Sequence, residues 1–290
     1  MYVKSIFLTF IALLELSHGI TQIWEDRRCG FINGIDVRCE SGQCCSKYGW
    51  CGATSEHCVK SCKSQCQKKS NPLLKIRQAN TSSDRVIENC QKPGTFAITF
   101  DDGPGPNTDK LLDYLKEARV KVTFFVVGEM LETPSGVATL KRAFADGHHI
   151  ASHTYHHIDL AKATPRKVRQ EMQRTSDIIF HTIGKRPRYM RPPYGSYNQG
   201  TLDVLHDMGY KVIYWNLDTF DWKHQDPRKT IAVYEDALKE SSPGSSFITL
   251  QHDIQESTIK STKEILNLVK SKGFRITTVP DCLDDSKLYF

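Results

Sequence analysis

Eight of the ten cysteines in this chain fall between Cys29 and Cys66. A segment that short cannot bury enough apolar surface to fold on a core alone, so its cysteines must staple it. Disulfides or a zinc cluster could serve. The adjacent pair Cys44-Cys45 argues against zinc, because neighbouring cysteines seldom both reach one tetrahedral ion. The start of the chain argues the same way. Residues 1–19 read MYVKSIFLTFIALLELSHG, with a basic Lys4, an apolar run from Ile6 to Leu14, and the small residues Ser17 and Gly19 for cleavage. The run ends at Glu15, short of the ~20 residues that span a bilayer. A cleaved signal peptide over 1–19 is therefore expected rather than an anchor, and no other stretch is apolar enough to span. Secretion makes disulfides the default state. Spacing alone does not choose among the many possible pairings.

The stapled segment runs C-x9-C-x4-CC-x5-C-x6-C-x3-C-x3-C and contains Ser46-Lys47-Tyr48-Gly49-Trp50-Cys51-Gly52. Its aromatic side chains have no core to enter. Exposed rings on a rigid scaffold suit stacking on the apolar faces of sugars; the plainer alternative is that they cover the disulfides. After the cysteines, residues 67–89 are polar and aperiodic and read as a linker. They hold +3 of the chain's net +6. A nucleic-acid-binding domain would instead concentrate basic charge on a folded face, so nucleic acid is not an expected partner. Asn80-Thr81-Ser82 in this stretch is the N-x-S/T sequon and a candidate glycosylation site.

From Cys90 onward short apolar runs alternate with amphipathic segments. The pattern predicts strands over Phe96–Phe100, Val122–Val127, His149–Ser152, Tyr189–Arg191, Val212–Asn216, Ser246–Leu250 and Arg275–Thr278. Helices are predicted over Thr108–Ala118, Gly136–Asp146, Pro165–Ile183, Asn198–Met208, Arg228–Glu240 and Thr258–Ser271. Such alternation means an α/β fold with parallel strands, and its length favours a (β/α) barrel over a small open sheet. In a barrel, active groups gather at the C-terminal ends of strands.

Those ends carry unusual residues. The first strand runs into Asp101-Asp102-Gly103-Pro104, two adjacent carboxylates that repel unless a positive group sits beside them. The third runs into His153-Thr154-Tyr155-His156-His157, and a single helical turn would put His153 and His157 on one side. One carboxylate with two such histidines is a hydrolytic metal set with an open position for water. Carboxylate and imidazole ligands suit cobalt or nickel as well as zinc. His148, His149 and His156 read as surface groups or groups behind the ligands. Arg191-Pro192-Pro193-Tyr194-Gly195 joins a guanidinium to a rigid turn whose first free backbone donor is the Tyr194 N–H, suited to an oxyanion. Asp218-Thr219-Phe220-Asp221-Trp222 adds carboxylates and an aromatic wall, and Leu250-Gln251-His252-Asp253 ends a strand with a histidine. Any one of these could be a capped loop; all five at strand ends point to a site.

Together the five segments resemble the five motifs of the polysaccharide deacetylases, carbohydrate esterase family four, over about residues 90–283. The resemblance implies a distorted (β/α) barrel that hydrolyses N-acetyl groups on a β-linked glycan with the help of a metal. It implies that Asp102, His153 and His157 bind the metal, with zinc expected and cobalt an alternative. It makes Asp101 the general base held by Arg191, His252 the general acid tuned by Asp221, and Trp222 and Leu250 the lining for the acetyl methyl. Ile158 departs from the family, which commonly has proline after the second histidine. The cysteine segment resembles the hevein-like chitin-binding modules, carbohydrate-binding module family eighteen. That resemblance implies the pairings Cys29–Cys45, Cys39–Cys51, Cys44–Cys58 and Cys62–Cys66, with Ser46, Tyr48, Trp50 and His57 as sugar contacts. His57 stands where the family usually has tyrosine.

The expected organisation is a signal peptide over 1–19, a chitin-binding module over 26–67, a linker over 68–89 and a deacetylase domain over 90–285. Cys90 and Cys282 bracket that domain and are expected to join its ends. The two resemblances agree on one polymer, so the expectation is a secreted enzyme of the extracellular space or cell wall. It would act as a monomer on chitin and N-acetylglucosamine oligomers, releasing chitosan and acetate. Deacetylation of peptidoglycan or another N-acetylglucosamine polymer, acetylxylan esterase activity, and an inactive barrel serving as a chitin-binding lectin are the alternatives.

Overall fold

The computed structural model describes residues 29–32, 35–37, 39, 44–46, 51–52, 62–64 and 85–290. The chain divides into two units, Met1–Gln78 and Ala79–Phe290. The expected signal peptide, residues 68–84 of the expected linker, Asn80, Tyr48, Trp50 and His57 lie outside the described residues. Among the described residues, no helix is long and apolar enough to cross a membrane.

In the first unit, β1 (Gly30–Ile32) pairs antiparallel with β2 (Ile35–Val37). A second small sheet has β3 (Cys44–Ser46) between β4 (Cys51–Gly52) and β5 (Cys62–Ser64). Cys29–Cys45 and Cys39–Cys51 are disulfides, and these four cysteines form the unit's small core. The cysteines thus bond to each other rather than to zinc, as expected for an oxidising compartment. Cys44 is also disulfide-bonded. The remaining expected pairings, Cys44–Cys58 and Cys62–Cys66, involve cysteines outside the described residues. Ser46 lies in β3 by its backbone.

The second unit is a parallel α/β assembly. One sheet has the order β6 (Val86–Ile87), β12 (Lys211–Ile213), β11 (Tyr189–Met190), β10 (His149–Ser152), β9 (Thr123–Val126), β8 (Thr99–Asp101). The other has β13 (Leu217–Asp218), β14 (Phe247–Leu250), β7 (Thr95–Ala97), β15 (Arg275–Thr277). All these pairings are parallel. The sheets meet where β8 lies against β14: the Thr99 N–H donates to Thr249 Oγ1 at 3.1 Å, and the Asp101 N–H to the Gln251 carbonyl at 2.9 Å. The result is a parallel barrel, as the alternation predicts, split into two sheets, the distortion that the family resemblance implies.

The helices are α1 (Thr108–Glu117), α2 (Pro134–Ala145), α3 (Pro165–Ile183), α4 (Gln199–Asp207), α5 (Asp221–His224), α6 (Pro227–Lys239), α7 (Glu256–Ser271) and α8 (Val279–Cys282). The long ones form for local reasons. In α3, the Thr164 hydroxyl accepts from the Lys167 N–H, Pro165 takes the first helical position, and Gly184 ends the helix at φ +69. Its buried residues Val168, Met172, Thr175 and Ile179 recur at helical spacing.

Both faces of the strands are covered, so they read as apolar runs rather than alternating ones. Alternation nevertheless decides what points inward. Ala97, Phe125, Ala151, Tyr189, Ile213 and Ile248 pack together inside the barrel. Two residues beyond Ala151 and Tyr189, just past the ends of β10 and β11, come His153 and Arg191, and Thr99 and Asp101 lie on β8. The disulfide Cys90–Cys282 joins the start of this unit to its last helix.

Three local readings are corrected. The predicted strand Phe96–Phe100 is two strands that break at Ile98, because β7 belongs to one sheet and β8 to the other. Val86–Ile87, read as linker, is an edge strand paired with Val212–Ile213; two apolar residues in a polar run are too short a signal. The segment after β10 is not a helical turn. Thr154 and His157 have φ of +65 and +52, which no helix contains.

Candidate active site

Strand register brings the motifs to one rim. Asp101 is paired with Phe125, while Ser152 pairs with both Val126 and Met190. The next residues continue the ladder: the Asp102 N–H donates to the Phe125 carbonyl, the His153 N–H to Val126, and the Arg191 N–H to Ser152. Asp101, His153 and Arg191 therefore stand side by side on the inner face.

Arg191 is the centre of this floor and is fully buried. Its Nη1 donates to Asp101 Oδ1 and to Thr99 Oγ1, both at 2.7 Å, and its Nη2 to the Tyr214 carbonyl at 2.9 Å. The guanidinium lies over the Phe125 ring, 4.2 Å from its centroid. A buried charge is tolerable only when every donor is satisfied, and here the barrel supplies the acceptors. Asp101 thus has one oxygen held and the other facing His153 Nε2 at 3.8 Å. Burial raises its carboxyl above the usual carboxylate range and outweighs the opposing pull of Arg191. That shift makes it more basic than a surface aspartate.

Beside it, Asp102 Oδ1 lies 3.4 Å from His153 Nε2 and 3.3 Å from His157 Nε2. The ring of His153 is fixed by its Nδ1, 2.8 Å from the Arg191 carbonyl. That contact requires the proton on Nδ1 and leaves the Nε2 lone pair toward Asp102. Burial lowers His153 to about 3, so it is a neutral imidazole. Asp102 Oδ1 is buried and has no hydrogen-bond partner. A buried carboxylate oxygen without a donor, facing two imidazole nitrogens, lacks a positive group. The three ligand atoms lie within 4.8 Å of one another, so this donor set fits a divalent cation.

Beyond Asp101, His252 Nδ1 is 2.8 Å from Asp221 Oδ1, and the His252 N–H donates to Asp221 Oδ2 at 2.7 Å. Asp221 also accepts from the Trp222 N–H and from Thr258 Oγ1. Burial by itself would lower His252, but its bond to Asp221 and that residue's charge, with the charges of Asp101 and Asp102, overcome it and raise the imidazole to about 9. Burial pushes Asp221 up, but the bonds and charge of His252 together with the Thr258 hydroxyl overcome it and hold the carboxyl below its ordinary value. At neutral pH the pair is imidazolium–carboxylate, so His252 carries a proton. Asp101 and His252 are bridged as neighbouring strand ends.

The remaining expected residues sit around this centre. Leu250 is buried and Trp222 half exposed. Tyr194 has φ +59, and its exposed ring lies 4.5 Å from that of His157. His148 and His149, read as surface groups or groups behind the ligands, are buried at the start of β10, away from the rim, and are lowered by burial to about 4 and about 3. His156 is held by Glu171 through Nδ1 at 2.8 Å.

Sequence reasoning passed over several residues that build the site. Thr99 and Thr249 join β8 to β14 and feed Arg191. Asp253 is buried and accepts from Thr108 Oγ1 at 2.6 Å. It packs so closely on Gly103 that a Cβ there would collide with its carboxylate, and burial, with the charge of Asp102, raises it to about 7. Threonines in otherwise apolar strands, and an aspartate next to the strand-end histidine, were the available signals.

A parallel barrel with a buried carboxylate, an Asp-His-His set that can hold a cation and a protonated histidine at one rim has the make-up of a metal-assisted hydrolase. The family described as polysaccharide deacetylase matches residues 88–213, and that described as chitin recognition protein matches residues 28–66. A chitin deacetylase of Colletotrichum lindemuthianum is 38% identical over 207 residues, covering 69% of this chain and 84% of that protein. A chitin deacetylase of a Pestalotiopsis species is 37% identical over 217 residues, covering 73% of this chain and 72% of that protein. The solved structure of the Colletotrichum lindemuthianum enzyme superposes with a TM-score of 0.68 over 71% of this chain and 95% of that one. This chain belongs to the polysaccharide deacetylase family. Enzymes of that family are metal-dependent, and Asp102, His153 and His157 form a set that can hold the ion.

Proposed function

We propose that this chain is a secreted deacetylase that removes N-acetyl groups from N-acetylglucosamine units of chitin, giving chitosan and acetate. The observation that carries the reading is the convergence of Asp101, Asp102, His153, His157, Arg191 and the Asp221–His252 pair at one rim. In the same chain, residues 28–66 match a chitin recognition segment. The organisation we propose is a signal peptide over 1–19, a chitin-binding module over 26–67, a linker, and a deacetylase domain reaching 285. Tyr48, Trp50 and His57, with Ser46, would grip the polymer, and Asn80 would carry a glycan.

Asp102, His153 and His157 would hold the cation, zinc by preference with cobalt as an alternative. When bound, such an ion polarises the acetyl carbonyl and makes water more acidic. The rest falls to the chain's own groups. Asp101, kept basic by burial and aimed by Arg191, takes a proton from the attacking water. The new C–O bond turns the carbonyl oxygen into an oxyanion, for which the Tyr194 N–H is the donor. His252 gives its proton to the nitrogen as the C–N bond breaks, because an amine anion cannot leave unprotonated. Asp221 keeps His252 charged and oriented, and Trp222 and Leu250 enclose the methyl group.

The test is acetate release from chitin oligosaccharides, with chelator and after zinc or cobalt is restored. Release that stops with chelator and returns with metal is expected. No release with metal supplied would leave a chitin-binding lectin, and faster release from peptidoglycan would move the substrate to that polymer.

A further inference from the structure

The two histidines beside Asp102 belong to a loop, and the loop is strained. Thr154 and His157 both have positive φ, +65 and +52. For residues with a Cβ such positions are disfavoured and persist only where the surroundings over-determine them. Something outside the loop must hold it.

Glu171 on α3 is in position to do so. It is 1% exposed and lies among Val168, Met172 and Thr175 on the buried side of the helix. A carboxylate there is costly unless fully bonded. Its Oε2 accepts from the backbone N–H groups of Tyr155, at 3.0 Å, and His156, at 2.8 Å. Its Oε1 meets His156 Nδ1 at 2.8 Å and Lys167 Nζ at 2.8 Å. Three of these four bonds go to the residues between His153 and His157, and two of them go to backbone. The adjoining side chains close the same clamp. The Tyr155 ring packs where a Cβ on Gly128 would collide, and Arg174 lies over that ring while its Nη2 reaches Glu132.

We infer that Glu171 is a positioning residue for the metal pair. By fixing the backbone of Tyr155 and His156, it sets the separation at which the His153 and His157 nitrogens face Asp102. It belongs to none of the five strand-end motifs and touches neither the reacting atoms nor the ligand atoms. The inference rests on the metal-binding reading of Asp102, His153 and His157. Groups that orient ligands in this way typically contribute about tenfold to a hundredfold in metal affinity.

The test uses the full chain stripped of metal and titrated with zinc against a chromophoric chelator, without substrate. Glu171→Gln is expected to weaken zinc binding about tenfold or more, with acetate release recovering as zinc is raised. Lys167→Ala removes only the outer partner of Glu171 and is expected to bind zinc within about twofold of the unaltered chain, the resolution set against the tenfold expected for the carboxylate. A residue that merely supports the fold would lower the thermal midpoint of the metal-free chain and leave zinc affinity intact; that result overturns the inference. If Glu171→Gln does not fold, Glu171→Asp, which keeps the charge but retracts it, carries the comparison. Because zinc is measured without substrate, absence of acetate release in the unaltered chain would overturn the proposed activity alone. Absence of zinc binding there would overturn the metal set and this inference with it.

Discussion

Replacing Asp221 with asparagine isolates the role of the buried ion pair. His252 stands at about 9, against an ordinary 6.5, because Asp221 overcomes the burial that would lower it. That rise corresponds to about 3 kcal/mol favouring the imidazolium. Asparagine keeps the size and an acceptor but removes the charge, so burial is opposed only by the charges of Asp101 and Asp102, and His252 should fall from about 9 toward its ordinary 6.5. At pH 8 a histidine near 9 is roughly nine-tenths protonated and one at 6.5 about 3%, so the acid-competent fraction falls about 30-fold. The alkaline limb of kcat/KM for acetate release should move from about 9 toward 6.5. The same pair contributes to stability, and the sign follows from the shifts. The His252 contribution is complete below pH 6.5 and is lost as pH rises through about 9. The Asp221 shift is downward, so its contribution is present above the usual carboxylate range and is lost on acidification. The assay is a pH profile of acetate release at saturating metal, with the His252 imidazole followed by NMR. An alkaline limb that stays near 9 in Asp221→Asn would refute the account of His252 as an acid held charged by Asp221.

Three further outcomes follow from the same geometry. Asp101→Asn retains the contact with Arg191 but cannot take a proton, so acetate release should fall about a hundredfold to ten-thousandfold while metal content stays at the unaltered level; near-normal turnover would reject Asp101 as the base. Trp50→Ala should weaken binding to solid chitin yet leave kcat on short soluble oligosaccharides unchanged, as measured by pull-down and acetate release. Cys282→Ser opens a link across a sequence separation of 192 residues. By chain entropy it should cost up to about 5 kcal/mol, read from denaturant unfolding of the metal-free protein.

Much of the site could be read because its residues are clustered in sequence. Asp101-Asp102, His153 with His157, Arg191 before two prolines, Asp221-Trp222 and His252 each close a short apolar run. A rule about strand ends in parallel folds is enough to gather them. The reading failed where structure depends on partners distant along the chain. Ile98 sits mid-run and gives no local sign that the strand changes sheet there. Val86–Ile87 becomes a strand only because Val212–Ile213 offers an edge. The spacing of His153 and His157 suggests a helical turn, yet the rings converge through a loop with two left-handed residues. Spacing counts residues and does not specify backbone.

The sequence alone determined the division into a cysteine-stapled segment and an α/β domain, the order of the long helices and most strands, and the identity of the groups at the rim. Those depend on local pattern, on the chemistry of side chains, and on resemblance carried by contiguous motifs. The tertiary structure decided how those groups act on one another. It buried Arg191 against Asp101, left Asp102 Oδ1 without a donor, set His252 on Asp221 and brought Glu171 from α3 to the histidine loop. Each of these is an electrostatic or hydrogen-bonded relation between residues far apart in the chain. Their strength depends on exclusion from water, which only the packed barrel provides.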